Sequence, residues 1–427
     1  MSTRLLDDCF LHDKDRLTHD QALALLAERL SPIADTETVP LAQAHRRVAA
    51  EDIVAPRNVP AFDNSAVDGF ALAYACLDQG GPSSLPVSMR IAAGQAGRGQ
   101  LKEGTCARIF TGAVMPEGTD TVVMQEDVDV EEAVGGEIAV IPAGIRAGAN
   151  VRRAGEDLAQ GSRAVAAGDR LRPQELAAVA SLGIDNVRCF ERLKVALIST
   201  GDEIIRPGTA FTQGQVYDAN HFLLSALLES VDAEVTDLGV LADDREIVTE
   251  TLLQASSTHH VILTSGGASR GEEDHVVEAV NQHGHLHAWQ LAVKPGRPLA
   301  FATLNDAVFL GLPGNPVAAM VCFLFYAQPM FARLQGAAWR PPQRFAVPSG
   351  FTVTKKKPDR REFLRGWIEQ DESGAPRLVR YPQDGSGLIS SLRAADGLIE
   401  IEEHVTAVEA GEMLNFIPFS AFGLIPR

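Results

Sequence analysis

Acidic side chains recur in this sequence where a chain that alternates strands and helices would turn. S-T-G-D-E at 199–203 follows an apolar β run and places Asp202 and Glu203 on a glycine turn. A-D-D-R at 242–245 follows a second run and carries Asp243 and Asp244. T-S-G-G-A-S-R-G-E-E-D at 264–274 follows a third and ends in Glu272, Glu273 and Asp274. Hard carboxylate oxygens are what Mg2+ requires, usually together with substrate phosphates. For any single acid, capping a helix or sitting in its first turn is the commoner role. Three sets at equivalent loop positions favour a site. In the third loop Ser265, Gly266 and Gly267 free the backbone to approach a ligand, and exposed N–H groups there suit phosphate.

Bases stand nearby in the sequence. V-K-P-G-R-P at 293–298 carries Lys294 and Arg297, a point charge and a planar fork suited to an oxyanion. A solvated turn is the plainer reading of that stretch. G-L-P-G-N-P at 311–316 joins an apolar strand to a helix. Pro316 suits a first helical turn, and an exposed helix N-terminus attracts anions. Neither stretch matches G-x-G-x-x-G or G-x-x-x-x-G-K-[ST], which removes support for nicotinamide and ordinary nucleotide-hydrolase readings.

The elements that must position these residues follow from periodicity. Residues 194–199, 234–241 and 260–264 are β runs; 220–230, 245–255 and 274–282 read as helices, with Asn220 a candidate N-cap. Alternation of this kind predicts a mostly parallel sheet covered on both faces, with ligands at the carboxyl ends of its strands. Upstream, 18–30 reads as a helix opened by a capping box of Thr18 and Gln21. Residues 55–149 are rich in Gly, Pro and short β runs and predict a small all-β module. Residues 174–182 are again helical, with Gly183 as the stop. After Arg340-Pro341-Pro342, alternating, turn-rich sequence predicts a C-terminal β domain.

Composition bounds what such a protein does. The 427 residues carry 38 Lys plus Arg against 56 Asp plus Glu, a formal charge of −18. That acidity argues against a general nucleic-acid partner but not against a local basic pocket. Hydrophobic residues are 45% and charged residues 22%, ordinary for a folded chain of about three domains. Five scattered cysteines without C-x-x-C predict neither a disulfide framework nor a zinc cluster, so a cytoplasmic setting is expected. The first ten residues carry acids where a secretory signal would be apolar. No uninterrupted apolar run reaches a membrane span's length, and 317–327 reads as a buried helix. Eight bases in 340–365, Arg340, Arg344, Lys355, Lys356, Lys357, Arg360, Arg361 and Arg365, read as a solvated face or as a field that focuses an anion toward a cleft. His283, His285 and His287 alternate and are read as loop or surface residues, with metal binding the minor alternative.

P-A-F-D-N-S-A-V-D-G-F-A at 60–71, R-I-F-T-G-A at 108–113, G-E-D at 155–157, S-T-G-D-E, S-G-G-x-S-x-G-E-x-D at 265–274, K-P-G-R-P and G-L-P-G-N-P occur in that order. Together they resemble the molybdopterin molybdenumtransferases, the family of bacterial MoeA and the gephyrin E domain, over nearly the whole chain. The resemblance implies a multidomain α/β plus β subunit. Its parts would be a discontinuous domain at 1–54 and 151–188, an inserted β domain at 55–150, an α/β domain at 189–338, and a C-terminal β barrel at 339–427. It implies a homodimer that inserts molybdate into the dithiolene of adenylylated molybdopterin, with Mg2+-assisted release of AMP. Glu203, Asp243 and Asp274 would hold the metal, with Asp244 competing for the place of Asp243. Lys294, Arg297, Ser386 in Q-D-G-S-G and Arg365 in F-L-R-G would face the pterin and molybdate, beside the 265–267 loop. Pro313 and Pro316 would shape a phosphate-facing loop. Asp157 of the G-E-D motif would join the catalytic set, and Asp68 and Thr111 would reach in from the partner subunit. Transient contacts with the adenylylating enzyme and with cofactor acceptors are implied, and neither nucleic acid nor membrane is. Where family members often carry Lys after the Trp of the preceding strand, Gln290 follows Trp289 here. A non-catalytic carrier or scaffold paralogue is the alternative reading. A Mg2+-dependent phosphatase-like hydrolase would account for the acids but not for the β domains.

Overall fold

The protein is described here by a computed structural model covering residues 16–94, 99–266 and 275–426, without the side chains of 287–289. A six-stranded sheet organises its middle. The strand order is Glu234–Leu241, Lys194–Thr200, Val261–Ser265, Ala307–Leu312, Pro298–Leu304 and Gly284–Gln290. The first four run parallel and the last two join antiparallel. Val195 to Ser199 and all of Val261–Ser265 are buried, which is why these strands read as apolar runs rather than alternations. The Lys194–Thr200 strand has neighbours reached by crossovers on opposite sides. A crevice therefore opens at its carboxyl end and at that of Val261–Ser265.

Helices Ala219–Ser230, Arg245–Thr258 and His275–His283 cover the sheet. The first is capped by Asp218, whose carboxylate accepts the His221 N–H at 2.9 Å. Asn220, expected as the cap, lies inside the first turn, and its side chain is engaged elsewhere. Of the histidines read as loop or surface residues, His283 ends its helix and His285 lies on the strand that begins at Gly284, and both are exposed.

A helix from Pro316 to Leu334 runs through the interior. It is the one helix among the described residues long and apolar enough to cross a membrane, and 83% of its most apolar window is buried in the protein. Phe323–Ala327 forms a π turn, closed by Gln328 N–H donating to the Phe323 carbonyl. The wider turn precedes Pro329, which has no N–H to continue the α ladder.

The remaining chain makes smaller cores. Thr36–Pro40 pairs with Asn186–Phe190, and Ile53–Val54 with Arg163–Val165, so two distant segments share one apolar cluster that includes Val39, Ile53, Leu171 and Val187. Between them lies a six-stranded β sheet ordered Thr121–Met124, Gly69–Leu72, Cys106–Ile109, Ser83–Ile91, Gly136–Ile141 and Asp129–Ala133. At the C-terminal end, Arg361–Gln370 pairs with Pro376–Arg380 and Gly397–Ile401, followed by Met413–Pro418 and Phe345–Pro348. A bridge from Ser349 to Leu378 joins the two ends and closes the barrel. The helix His19–Arg29, with the expected capping box at Thr18, packs Ala22 and Leu26 into the core that the α/β sheet shares with Phe363 and Ile417 of the barrel.

Candidate functional site

The first two acidic loops meet at the rim of the crevice. Gly201 adopts φ +131°, and a Cβ there would fall 2.6 Å from a Glu203 carboxylate oxygen, so only glycine lets Glu203 fold back over the turn. Asp202 accepts the Asp243 N–H at 2.9 Å and ties the first loop to the second. Asp244 is the N-cap of Arg245–Thr258 and accepts the N–H groups of Glu246 and Ile247 at 2.9 and 3.0 Å. Asp243 does not cap; its carboxylate is exposed and lies 3.9 Å from His275 Nε2. Asp274, with Gly267, falls outside the described residues. Among the described residues, no three His, Cys, Asp or Glu side chains group tightly enough to hold a metal ion. Glu203 and Asp243 supply exposed oxygen donors of the chemistry Mg2+ takes.

Across the crevice lies a cavity of about 550 Å³. Gly266, Lys294, Arg297, Pro313, Asn315 and Ser386 are among its lining residues. Gly266 adopts φ +103°, and a Cβ would press on Thr200 Oγ1 at 3.0 Å. Ser265 Oγ accepts from Asn220 Nδ2 at 2.7 Å, and the same amide donates to the Gly314 carbonyl at 2.6 Å. Asn220 thus joins the glycine loop to the P-G-N-P loop, a role its cap-like sequence position concealed. Its Oδ1 is buried without a hydrogen-bond partner among the described residues. Pro316 opens the long helix, and the next N–H, of Val317, donates to the Ser386 carbonyl at 3.0 Å. That bond brings the barrel's Q-D-G-S-G loop to the helix end.

The basic turn is held from three directions. Val293–Lys294 pairs in parallel with Arg361 and Glu362, so the turn is stitched to the barrel sheet. Lys294 Nζ lies 3.6 Å from Glu362 Oε2. Arg297 Nε donates to Gln290 Oε1 at 2.7 Å, so the residue after Trp289 orients this guanidinium. Beneath, Cys322 Sγ on the long helix approaches the Gly296 carbonyl at 3.4 Å. A Cβ on Gly296, at φ +105°, would lie 2.6 Å from that sulfur. Burial pushes the Cys322 thiol pKa far up, leaving it a neutral packing group. Neither Cys322 nor Gln290 announces this role in the sequence; only the pairing of K-P-G-R with a buried helix reveals it.

Arg365 does not line the cavity. It is buried, donates to Ser391 Oγ at 3.0 Å and to the carbonyls of Gln383 and Gly385 at 3.0 and 3.2 Å, and thereby fixes the loop that presents Ser386. Most of the basic 340–365 run is likewise engaged internally. Arg344 pairs with Glu400, and Arg361 with Glu400 and Glu403. Lys356 donates to the carbonyls of Glu402 and Val405. The run is therefore mainly the barrel's own scaffold, not an open field.

Asp68 and Thr111 meet in the inserted sheet. The Asp68 carboxylate accepts the Thr111 N–H at 2.8 Å and its hydroxyl at 2.7 Å, and these bonds hold its pKa below the usual carboxylate range. Gly69 begins the next strand, where a Cβ would fall 2.0 Å from the Val123 carbonyl oxygen, so only glycine fits. Asp157 is exposed, its N–H donating to the Val59 carbonyl at 3.1 Å. None of the three lines the 550 Å³ cavity.

A glycine loop and a basic turn at parallel strand ends, faced by carboxylates, define an α/β protein whose crevice has donors and charges of the kind that oxyanions and phosphates take. Comparison with known proteins is consistent along the chain. Residues 17–183 match the MoeA N-terminal region (domain I and II), 196–333 a probable molybdopterin binding domain, and 352–419 the MoeA C-terminal region (domain IV). The molybdopterin molybdenumtransferase of Haemophilus influenzae is 38% identical over 405 residues, covering 95% of this chain and 99% of that one. The one from a Nostoc species is 34% identical over 410 residues, 94% of this chain and 87% of that one. A crystal structure of the MoeA protein from Pyrococcus horikoshii superposes with a TM-score of 0.79 at 28% identity, over 95% of this chain and all of that one. The chain belongs to the molybdopterin molybdenumtransferase family.

Proposed function

We propose that this protein inserts molybdate into the dithiolene of adenylylated molybdopterin and releases AMP. The observation that carries the reading is the cavity where Lys294 and Arg297 face Ser386 and Gly266, with the Glu203–Asp243 rim at the same strand ends. Lys294 and Arg297 neutralise the incoming oxyanion, and the Ser386 loop, fixed by Arg365, closes on it. The Gly266 backbone and the Pro313–Pro316 loop receive the phosphate-bearing part of the substrate, aided by Ser265 as Asn220 holds it. Glu203, Asp243 and Asp274 would hold Mg2+, and Asp244, engaged as a cap, would not. When bound, the metal neutralises pyrophosphate charge and polarises the bond that is cleaved.

Asp68 and Thr111 act in this reading from a partner subunit in a homodimer, with Asp68 kept ionised by Thr111, and Asp157 joins the catalytic set. The parts of the subunit would be those expected from the resemblance, 1–54 with 151–188, 55–150, 189–338 and 339–427. A cytoplasmic enzyme fits cysteines that are free wherever they are described. The test supplies adenylylated molybdopterin, Mg2+ and molybdate. AMP and active cofactor are the expected products. A folded protein that binds the pterin but releases no AMP would overturn the enzymatic reading in favour of a carrier.

A further inference from the structure

The K-P-G-R turn has two sides. One faces the cavity described above. The other walls a separate cavity of about 260 Å³, lined also by Arg16, Lys357, Pro358 and Arg360. Lys294 and Arg297 line both. Five cationic side chains thus surround a space below the roughly 300–1,000 Å³ typical of drug-sized pockets. No carboxylate belongs to its described lining. Glu362, nearly buried, stands behind it, bonded to Arg360 and 3.6 Å from Lys294 Nζ. Neither Arg16 nor Lys357 forms an ion pair with a described residue, and Arg360 Nε is buried without a partner among them.

These cations sit on three separately anchored segments. Leu17, beside Arg16, is bonded to Gln290 and Ala292 through the backbone. Lys356, beside Lys357, is pinned by the carbonyls of Glu402 and Val405. The turn itself is stitched to the barrel strand. Five positive groups line this cavity, two of them paired to Glu362 behind it, and they repel one another unless an anion joins them. The volume and the forked donors fit a group the size of a tetrahedral dianion.

We propose that this cavity is a binding subsite for a tetrahedral dianion, on the side of the K-P-G-R turn opposite the proposed reaction cavity. Arg297 serves both, so an anion held here stands one side chain away from that cavity. The dianion is either a free oxyanion or a phosphate of the pterin substrate. Only this choice of source rests on the proposed reaction; the binding itself needs no turnover.

The test is calorimetric titration of the full chain with molybdate, with sulfate, and with a phosphate monoester, for wild type and for Arg16→Ala/Lys357→Ala. Both side chains are exposed, and a thermal melt matching wild type verifies the fold; Lys357→Glu provides an independent second variant. We expect at least a tenfold loss of affinity at one anion site and a shallower dependence on salt. Loss for molybdate and sulfate assigns the site to free oxyanions. Loss for the phosphate monoester alone assigns it to the substrate's phosphate. Unchanged affinity and stoichiometry for all three anions in both variants would overturn the proposal. Failure of AMP release would not touch this result, so the two readings fall separately.

Discussion

Asp243 and Asp244 are neighbours in sequence with opposite surroundings. Asp244 satisfies two orphan N–H groups at a helix start, whereas Asp243 leaves its carboxylate at the rim. Asp244→Ala should cost about 1 kcal/mol of stability and largely spare turnover. Asp243→Asn should leave the thermal melt in place and cut AMP release by more than the roughly 10–100-fold that outer-shell changes cost. Gln290 invites a second comparison. Gln290→Ala frees Arg297 Nε, so KM for molybdate should rise while kcat changes little, as measured by steady-state AMP release. His19 sets a pH dependence. It is buried among Phe325, Tyr326 and Phe363, with Nδ1 3.0 Å from the Tyr326 hydroxyl, and desolvation pushes its pKa down to about 3. The unfolded chain binds a proton near pH 6.5 that the folded one refuses until about 3. Its contribution is therefore complete above pH 6.5 and lost as pH falls toward 3, on the order of 5 kcal/mol in all. Denaturant midpoints between pH 7 and 4 should fall more gently for His19→Gln, once the constant cost of that substitution is set aside. Equal slopes would show that His19 is not the titrating group.

At the scale of elements, the long helix does two jobs. It buries the apolar run that the sequence made plain, and Cys322 on it leaves just enough room for Gly296. Gly296→Ala must move either the turn or the sulfur and also strain φ, a cost of about 1–3 kcal/mol. Anion affinity should drop with it, and a binding titration beside a thermal melt checks both. This division also marks what the sequence disclosed. Strand and helix identities in the α/β sheet were legible because parallel strands buried on both faces leave long apolar runs, and glycine-rich loops mark their ends. The Thr18 capping box and the Gly183 stop were legible because their chemistry is local. Arg365 and the 340–365 run were not, because a base bonded to a carbonyl and a base facing solvent look alike until the chain folds. The Asn220 bridge was hidden for the same reason: its partners, Ser265 and Gly314, lie 45 and 94 residues away.

At the scale of the molecule, net acidity and anion handling coexist through placement. Carboxylates gather at the strand ends, while bases outnumber their carboxylate partners around one short turn. Asp274→Ala should abolish AMP release and leave the sedimentation coefficient unchanged; full activity would remove Asp274 from the site. The backbone pairing of Val293–Lys294 with Arg361 and Glu362 carries a mechanical consequence. The turn is rooted in one sheet and hydrogen-bonded into another, so any swing of the barrel drags Lys294 and Arg297 with it. Such a swing would change the cavity that the turn shares with Gly266 and Pro313, and anion capture there would report how the two sheets sit.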